Sequence, residues 1–398
     1  MFVSFRVADF RYLALSTLAV GYGQWAQQIG LFWLVFQFTD SPAQLGFLAA
    51  FRGGVGIVVS PLGGVLADRQ SRRSIMIWST LAGAVLAGFI VVMVIADLVQ
   101  VWHLYVFAFF GGILQSINMP TRQAFVYDVS TDETLSNAIA MNSIVQNVSR
   151  VSGPPLAGAL IGFFGVAAPF IFIAVMHLVA VAVTLMISQQ TRQVRIGSGG
   201  GMLLQMLEGF RYCWRDRRIM GLIVVTAIPS VLIVPYIPFM AVISEQVLGR
   251  GPEGFGLLAS MLGWGSILGL FLLAFLGDIR RKGLVMLGCE TMYALLVIGF
   301  AWSEVFYLSL AFLAAAGIFH SVGRVLGNTL IQLAAPNEMR GRVMSVWQMS
   351  HGLQPLGSLP MGLAVARFGP QLGLGMFMVA AFVSFIVFTL TWPSVRRM

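Results

Sequence analysis

The chain contains 398 residues, of which 58% are hydrophobic and only 10% are charged, and its mean hydropathy is +0.87. A soluble protein of this length needs far more polar residues to cover its core, so the composition excludes that class and indicates a polytopic α-helical membrane protein. The net charge of +9 does not indicate nucleic-acid binding, because the basic residues flank apolar segments and do not form one patch.

Apolar runs separated by short polar breaks predict twelve transmembrane helices. In chain order we expect them near residues 11–38, 43–67, 74–96, 102–127, 134–163, 166–189, 217–247, 254–277, 284–302, 305–332, 339–367 and 371–392. The longest polar break follows the sixth run and is rich in glycine and arginine, as in a flexible linker. The pattern therefore predicts an N-terminal six-helix bundle at 1–190, a cytoplasmic linker at 191–215 and a C-terminal six-helix bundle at 216–398.

The distribution of basic residues predicts the orientation of these helices. An even number of spans places both termini on the same side of the membrane. Most of the 24 Lys and Arg residues lie at the termini or in loops on that side, whereas only Arg250 and Arg367 lie in loops on the other. By the positive-inside rule, both termini are expected in the cytoplasm.

The two predicted halves are related by an internal repeat. Residues 45–76 align with residues 255–286 at a constant offset of 210. Identical residues matched at this offset are Gly46 with Gly256, Asp68 with Asp278, and Met76 with Met286. Residues 152–165 align with 357–369 at an offset of 204. The glycines matched there are Gly153 with Gly357, Gly158 with Gly362, and Gly165 with Gly369. Parallel repeats of six spans are typical of one large class of secondary transporters.

The sequence GGVLADRQSRR, residues 63–73, resembles motif A of the major facilitator superfamily. The matching positions are Gly64, Leu66, Ala67, Asp68, Arg69, Arg72 and Arg73. Ser71 stands where the motif has its second glycine. The segment SRVSGPPLAGALIG, with Gly153, Pro154 and Gly158, resembles motif C of exporters in that superfamily. The segments 118–143 and 336–347 are similar to the branch containing the enterobactin exporter and the macrolide efflux proteins.

The resemblance implies a fold of two pseudo-symmetric bundles and a function in secondary active transport. It implies a multi-pass protein of the bacterial inner membrane that exports amphipathic small molecules, such as drugs or siderophores. Export would be coupled to the entry of protons, as in an antiporter. A monomer without a cofactor and without enzymatic activity is the expected state. Its partners would be the substrate, protons and the lipid bilayer, with no nucleic acid and no metal.

Motif A is interpreted as a conformational latch and not as a substrate site. In the superfamily, the motif's aspartate faces the N-terminus of span eleven, where the helix dipole favours negative charge. Arg72 is positioned to pair with Asp128 at the end of span four. The predicted latch comprises Gly64, Asp68, Arg69, Arg72, Arg73, Asp128 and the repeat-related Asp278.

Polar residues inside the predicted spans mark a candidate substrate cavity, because such residues usually face a cavity or a partner helix. The superfamily places spans one, four, seven and ten around its cavity, and polar residues three or four apart share one helical face. The predicted cavity residues are Gln24 and Gln28 on span one, Gln115, Asn118 and Arg122 on span four, Arg150 on span five, and His320, Arg324 and Asn328 on span ten. Hydrogen bonding between helices is the alternative role for each.

The sign of the charge within the spans predicts the class of substrate. Four arginines lie inside spans, but Glu290 is the one clear acid there. Arginines without partners favour an anionic or zwitterionic substrate, although Glu290 and Arg324 could instead neutralise each other. Glu290 and His320 are the candidates for carrying the coupled proton. Flipping of lysophospholipid on the same fold is the alternative function, and an ATP-driven pump is disfavoured because no P-loop is visible.

Overall fold

The computed structural model describes residues 3–131, 133–188, 202–277 and 279–398, with the side chains of residues 3, 60–69 and 202–207 outside the description. These residues form helices joined by short turns, and no strand occurs among them. The helices of the first half are α1 Ala8–Thr39, α2 Pro42–Arg69, α3 Arg72–Ile95, α4 Val101–Asp128, α5 Leu135–Phe164 and α6 Ala168–Leu185. Each contains the core of one predicted span.

The second half contains both long helices and short segments. Its helices are α7 Met202–Arg215, α8 Arg217–Leu232, α9 Met240–Val242, α10 Gly251–Leu276, α11 Lys282–Trp302, α12 Phe306–Ala334, α13 Arg340–His351, α14 Gln354–Phe368, α15 Pro370–Thr391 and α16 Pro393–Arg396. Within the described residues, eight helical segments of the whole chain are long and apolar enough to cross a membrane. The helices α1, α4 and α5 are as long, with 32, 28 and 30 residues, but contain more polar positions.

Two of the predicted spans are not regular α-helices throughout, although the first of them is confirmed as one apolar helical segment, Arg217–Val247. The predicted span 217–247 continues past α8 as a 3₁₀ segment at Val234–Phe239, then α9, then a π-helical turn at Ile243–Val247. Prolines at 235 and 238 lack the backbone donors that an α-helix needs, which accounts for this change. The predicted span 339–367 is broken between α13 and α14, where a glycine at 352 precedes a proline at the start of α14. By contrast, α5 runs uninterrupted through its two prolines.

The second part of the predicted linker is a helix, α7, that packs against α8 and α13. The Glu208 carboxylate lies 2.8 Å from the Arg342 guanidinium, and Gly209 and Cys213 are buried. Phe210 and Trp214 are exposed on the other side of the helix. Helix α7 therefore has one packed face and one exposed face. The prediction of a flexible linker over residues 191–215 missed this helix.

The reactivity of Cys213 is expected to be low and strongly dependent on pH. Burial raises the pKa of the Cys213 thiol to about 11, and the thiolate is the form that reacts with alkylating reagents. In a Cys289→Ala variant, the maleimide-labelling rate of folded protein should therefore rise about ten-fold per pH unit from about pH 7 to about pH 9. Stopped-quench labelling with intact-mass detection measures this rate, and a plateau below about pH 9 would contradict the assignment.

The chain divides into two compact units. The first comprises Met1–Asp40, Phe51–Ile196 and Arg250–Ser260, and the second comprises Ser41–Ala50, Gly197–Gly249 and Met261–Met398. In the first unit, α1 packs against α5 and α6, and α3 packs against α4 and α6. In the second unit, α11 packs against α12 and α15, and α14 packs against α15. The predicted domain boundaries at residues 190 and 216 remain a prediction.

Two close glycine contacts agree with the internal repeat. In the first unit, a β-carbon at Gly158 would lie 3.1 Å from the Cα of Gly256. In the second unit, a β-carbon at Gly46 would lie 2.9 Å from the Cα of Gly362. The repeat offsets convert one pair into the other, since Gly46 matches Gly256 and Gly158 matches Gly362. The two contacts are therefore repeat-related, and each requires glycine because a side chain would clash with backbone.

Candidate functional site

A polar network in the first unit surrounds Arg122 on α4. The guanidinium donates from Nε to Asn118 Oδ1 at 2.6 Å, from Nη1 to Ser16 Oγ at 2.9 Å, and from Nη2 to Thr80 Oγ1 at 3.3 Å. Asn118 lies one helical turn before Arg122, so the two share a face, as the sequence predicts. Ser16 belongs to α1 and Thr80 to α3, so the guanidinium joins three helices.

The groups that receive these bonds are themselves held by neighbouring helices. Ser16 Oγ lies 2.7 Å from Thr184 Oγ1 on α6. The Asn118 amide donates to Ser79 Oγ at 2.6 Å and to Thr80 Oγ1 at 3.1 Å. Because every acceptor is fixed by a second contact, the guanidinium is held in one orientation.

The charge of Arg122 has no anionic partner among the described residues. Its exposed fraction is 6%, and each of its three acceptors is neutral. Arg52 on α2 is half-buried, and its Nη2 also donates to a neutral group, Gln115 Oε1, at 2.7 Å. A buried charge without a counter-ion is unfavourable by several kcal/mol. Such residues in membrane-spanning helices usually serve a substrate or an ion pathway.

A cavity of about 40 Å³ lies beside this network within the first unit. Its polar lining residues are Gln24, Gln27, Ser79, Thr80, Gln115, Asn118 and His177. The His177 ring fits between Gly23 and Gly83, where β-carbons would lie 3.0 Å and 2.8 Å from its nitrogens. The volume holds a few water molecules, and Arg122 reaches the cavity only through its hydrogen bonds to Asn118 and Thr80, which line it.

The structure brings together some of the predicted cavity residues of the first half and not others. Gln24, Gln115 and Asn118 line the cavity, and Arg122 bonds to two of its lining residues. Gln28 and Arg150 are not among the lining residues, and Arg150 is exposed on α5. The lining residues that were not selected from the sequence lie on α1, α3 and α6: Gln27, Ser79, Thr80 and His177. The sequence does not mark Ser79 and Thr80 as cavity residues, because most serine and threonine hydroxyls in helices bond to the backbone of their own helix.

The second unit contains a separate titratable cluster on α11 and α12. Glu290 is 3% exposed, and its Oε2 lies 3.9 Å from His320 Nδ1. The His320 ring packs on Tyr293, with ring centroids 4.5 Å apart. Gly323 allows this approach, since a β-carbon there would lie 2.6 Å from Glu290 Oε1. The two residues selected as proton carriers are therefore neighbours.

The other predicted residues of α12 lie outside this pair. Arg324 is exposed and makes no ion pair with Glu290, so the alternative in which these two neutralise each other is not realised. The Asn328 side chain accepts a hydrogen bond from Gln332. The charged or ionisable neighbour of Glu290 on α12 is therefore His320 and not Arg324.

The motif A residues that the structure describes stabilise the first unit. Arg72 Nη1 lies 2.8 Å from Asp128 Oδ1, with both side chains buried, as the sequence predicts. Arg73 donates to the Leu185 carbonyl at the end of α6 at 2.7 Å. The side chains of Asp68 and Arg69, the surroundings of Gly64 and the whole of Asp278 lie outside the description. The role of this group as a latch remains a prediction.

Comparison with known proteins assigns the chain to a transporter family. A family model described as transmembrane secretion effector matches residues 1–395. The chain is 24% identical over 371 residues to the staphyloferrin A transporter of Staphylococcus aureus (strain NCTC 8325 / PS 47), covering 90% of each chain. It is 23% identical over 364 residues to the enterobactin exporter EntS of Shigella dysenteriae serotype 1 (strain Sd197), covering 88% of this chain and 84% of that protein. Lipid flipping receives no support from these relatives.

Solved structures of transporters share the fold. A bacterial homologue of the human lysosomal transporter Spinster, in an inward-facing and occupied conformation, matches with a TM-score of 0.75 at 16% identity, covering 98% of this chain and 96% of that one. The nucleoside transporter NupG matches with a TM-score of 0.75 at 12% identity, covering 96% and 98%. The protein is thus a multi-pass membrane transporter, and the chain belongs to the transmembrane secretion effector family of the major facilitator superfamily.

Proposed function

We propose that the chain is a proton-driven exporter of anionic or zwitterionic small molecules, with siderophores as the leading class, and that it works by alternating access. The names of its relatives support this class, since one is a staphyloferrin A transporter and another an enterobactin exporter. We place the protein in a bacterial inner membrane with both termini in the cytoplasm, on the basis of the positive-inside distribution.

The observation that carries the anionic preference is the buried guanidinium of Arg122. It lies among neutral acceptors beside a polar cavity, and no carboxylate of the described residues lies within ion-pair distance. A carboxylate or other acidic oxygen on the substrate would supply the missing charge, because guanidinium binds such groups with two parallel hydrogen bonds. Cationic drugs would be disfavoured at the same place by repulsion.

The pair of Glu290 and His320 is our candidate for the proton carrier. A buried carboxylate beside an imidazole can exist with one or two protons, so the pair can take up and release a proton during the cycle. The charged and titratable groups around it are Tyr293 and Cys289 on α11, Arg324 on α12, His351 on α13 and Tyr236 in the 3₁₀ segment. The packed helix α15 contributes no titratable residue.

Substitution of Glu290 with glutamine is expected to separate coupling from transport. In proteoliposomes with an imposed pH gradient, the variant should lose about ten-fold or more of its uphill substrate accumulation, because the glutamine cannot carry the proton. Exchange of labelled for unlabelled substrate, which needs no net proton transfer, should persist.

The matched control is Glu304→Gln, which removes an exposed acid from the loop between α11 and α12 and should change neither activity. Retention of full uphill accumulation by the Glu290 variant would refute its assignment as the carrier. Accumulation by the unmodified protein that does not respond to the pH gradient would refute proton coupling altogether.

A further inference from the structure

An apolar groove runs along the outer surface of the second unit between α11 and α15. Its volume is about 390 Å³. Its lining residues are Leu284, Leu287, Gly288, Thr291, Met292, Leu295, Ile386, Thr389 and Leu390. Leu284, Leu295 and Leu390 are 39%, 45% and 69% exposed, so the groove opens outward. Both helices are membrane-span candidates, and the groove therefore faces lipid.

The groove exists because one position on its floor has no side chain. No atom lies within 4 Å of the point where a β-carbon on Gly288 would stand. The two threonines in the groove present methyl groups, since Thr291 Oγ1 bonds the Leu287 carbonyl at 2.8 Å and Thr389 Oγ1 bonds the Phe385 carbonyl at 2.7 Å. The surface offered is therefore hydrocarbon along its whole length.

The length of the groove matches one leaflet of a bilayer. From Leu284 to Leu295 the helix rises roughly 16 Å at 1.5 Å per residue. A hydrocarbon core is about 30 Å thick, so the groove extends for about half of it. It begins at the end of α11 that the positive-inside distribution places in the cytoplasm.

Four exposed arginines lie at that end, and three of them directly adjoin α11 or α16. Arg281 immediately precedes α11, and Arg396 and Arg397 lie at the end of α16. The chain at α16 packs directly on the start of α11, where Gly283 leaves no room for a β-carbon beside the Val395 carbonyl. Among the described residues, none of the three arginines forms an ion pair with a carboxylate.

We propose that this groove and its arginines bind an anionic phospholipid of the cytoplasmic leaflet. One acyl chain lies in the groove over Gly288, and the phosphate accepts hydrogen bonds from the arginines, which recognise phosphate with two donors each. The inner leaflet is rich in anionic lipid, and each basic side chain near the surface adds about 1 kcal/mol of attraction, or about five-fold in affinity. This lipid is a bound partner and not a transported substrate, so the proposal does not depend on the function proposed above.

Native mass spectrometry of the detergent-purified protein tests the proposal with two lipids of identical acyl chains, phosphatidylglycerol and phosphatidylcholine. The unmodified protein should bind phosphatidylglycerol roughly ten-fold or more tightly. The variant Arg281→Gln/Arg396→Gln/Arg397→Gln should lose this preference and keep the weaker binding of phosphatidylcholine. The variant Gly288→Leu should lower the binding of both lipids, because its side chain fills the groove.

Two controls separate the groove from general adsorption. Gly88 on α3 also has open space in front of it, so Gly88→Leu adds the same side chain elsewhere and should bind lipid normally. Arg367→Gln removes a positive charge from the predicted opposite side and should keep the preference. Equal affinity of the unmodified protein for the two lipids overturns the proposal. An unchanged preference for phosphatidylglycerol in the triple arginine variant also overturns it. Equal lipid binding by Gly288→Leu and Gly88→Leu would overturn it as well.

Discussion

Replacing Arg122 with glutamine is expected to raise the KM for an anionic substrate by about a hundredfold, since loss of a charge-assisted pair of hydrogen bonds removes about 2–3 kcal/mol. The same change should leave the thermal stability of the protein unchanged or higher. The native guanidinium is buried among neutral acceptors, so its removal relieves a desolvation penalty. Transport kinetics in proteoliposomes and thermal unfolding of the same preparation provide the two readouts.

The opposite effects on activity and stability distinguish a substrate-binding arginine from a structural one. If Arg122 only joined α1, α3 and α4, the glutamine variant would lose stability and its KM would change little. Arg11→Gln is the matched control, because Arg11 is an exposed arginine on α1 and should change neither quantity. Arg122→Lys keeps the positive charge but loses the planar guanidinium that binds a carboxylate with two hydrogen bonds. Its KM is expected to lie between those of the unmodified protein and Arg122→Gln.

Breaking the buried pair between Arg72 and Asp128 is expected to have the largest effect on stability. The two groups are 2.8 Å apart, and their side chains are 8% and 1% exposed. Removal of one partner from a buried pair costs about 3–5 kcal/mol, because the remaining charge is left in a low-dielectric site. Asp128→Ala should therefore lower the Tm by about 5 °C, since a chain of this length has an unfolding entropy of about 0.8 kcal/mol/K.

The chain contains a matched control for this pair. Arg342 and Glu208 are also 2.8 Å apart, but their side chains are 38% and 47% exposed. Because exposed pairs contribute about 0–1 kcal/mol, Glu208→Ala should hardly change the Tm. A double variant, Arg72→Ala/Asp128→Ala, should lose less stability than the sum of its two single variants. Additive losses, or equal losses at the two pairs, would contradict this account of motif A.

The sequence predicted the features that depend on local pattern. Apolar length located the spans, and the spacing of Asn118 and Arg122 placed them correctly on one face of α4. The pairing of Arg72 with Asp128 was also predicted, because the resemblance to motif A fixed which helix ends adjoin. These features follow from helical geometry or from the family and need no knowledge of packing between distant segments.

Features that depend on tertiary packing were missed. Thr80 accepts from Arg122, yet nothing in the α3 sequence distinguishes it from other helical hydroxyls. Arg150 was predicted to line the cavity, but it is exposed on α5 and is not among the lining residues. Helix α7 was not predicted, because its polar residues resemble those of a linker. Its apolar face is stabilised only by packing against α8 and α13, which the sequence does not show. The groove at Gly288 is invisible in the sequence, since glycine is frequent throughout this chain.

We propose that this transporter recognises acidic cargo through the buried positive charge of Arg122. The most direct measurement compares two forms of one siderophore, the free carboxylate and its neutral carboxamide, taken up by inside-out vesicles with an acidic interior. We expect strong uptake of the carboxylate, about a hundredfold weaker uptake of the carboxamide, and loss of this ratio in the Arg122→Gln variant. Equal uptake of the two forms, or the same ratio in the variant, would show that Arg122 does not select the acidic cargo.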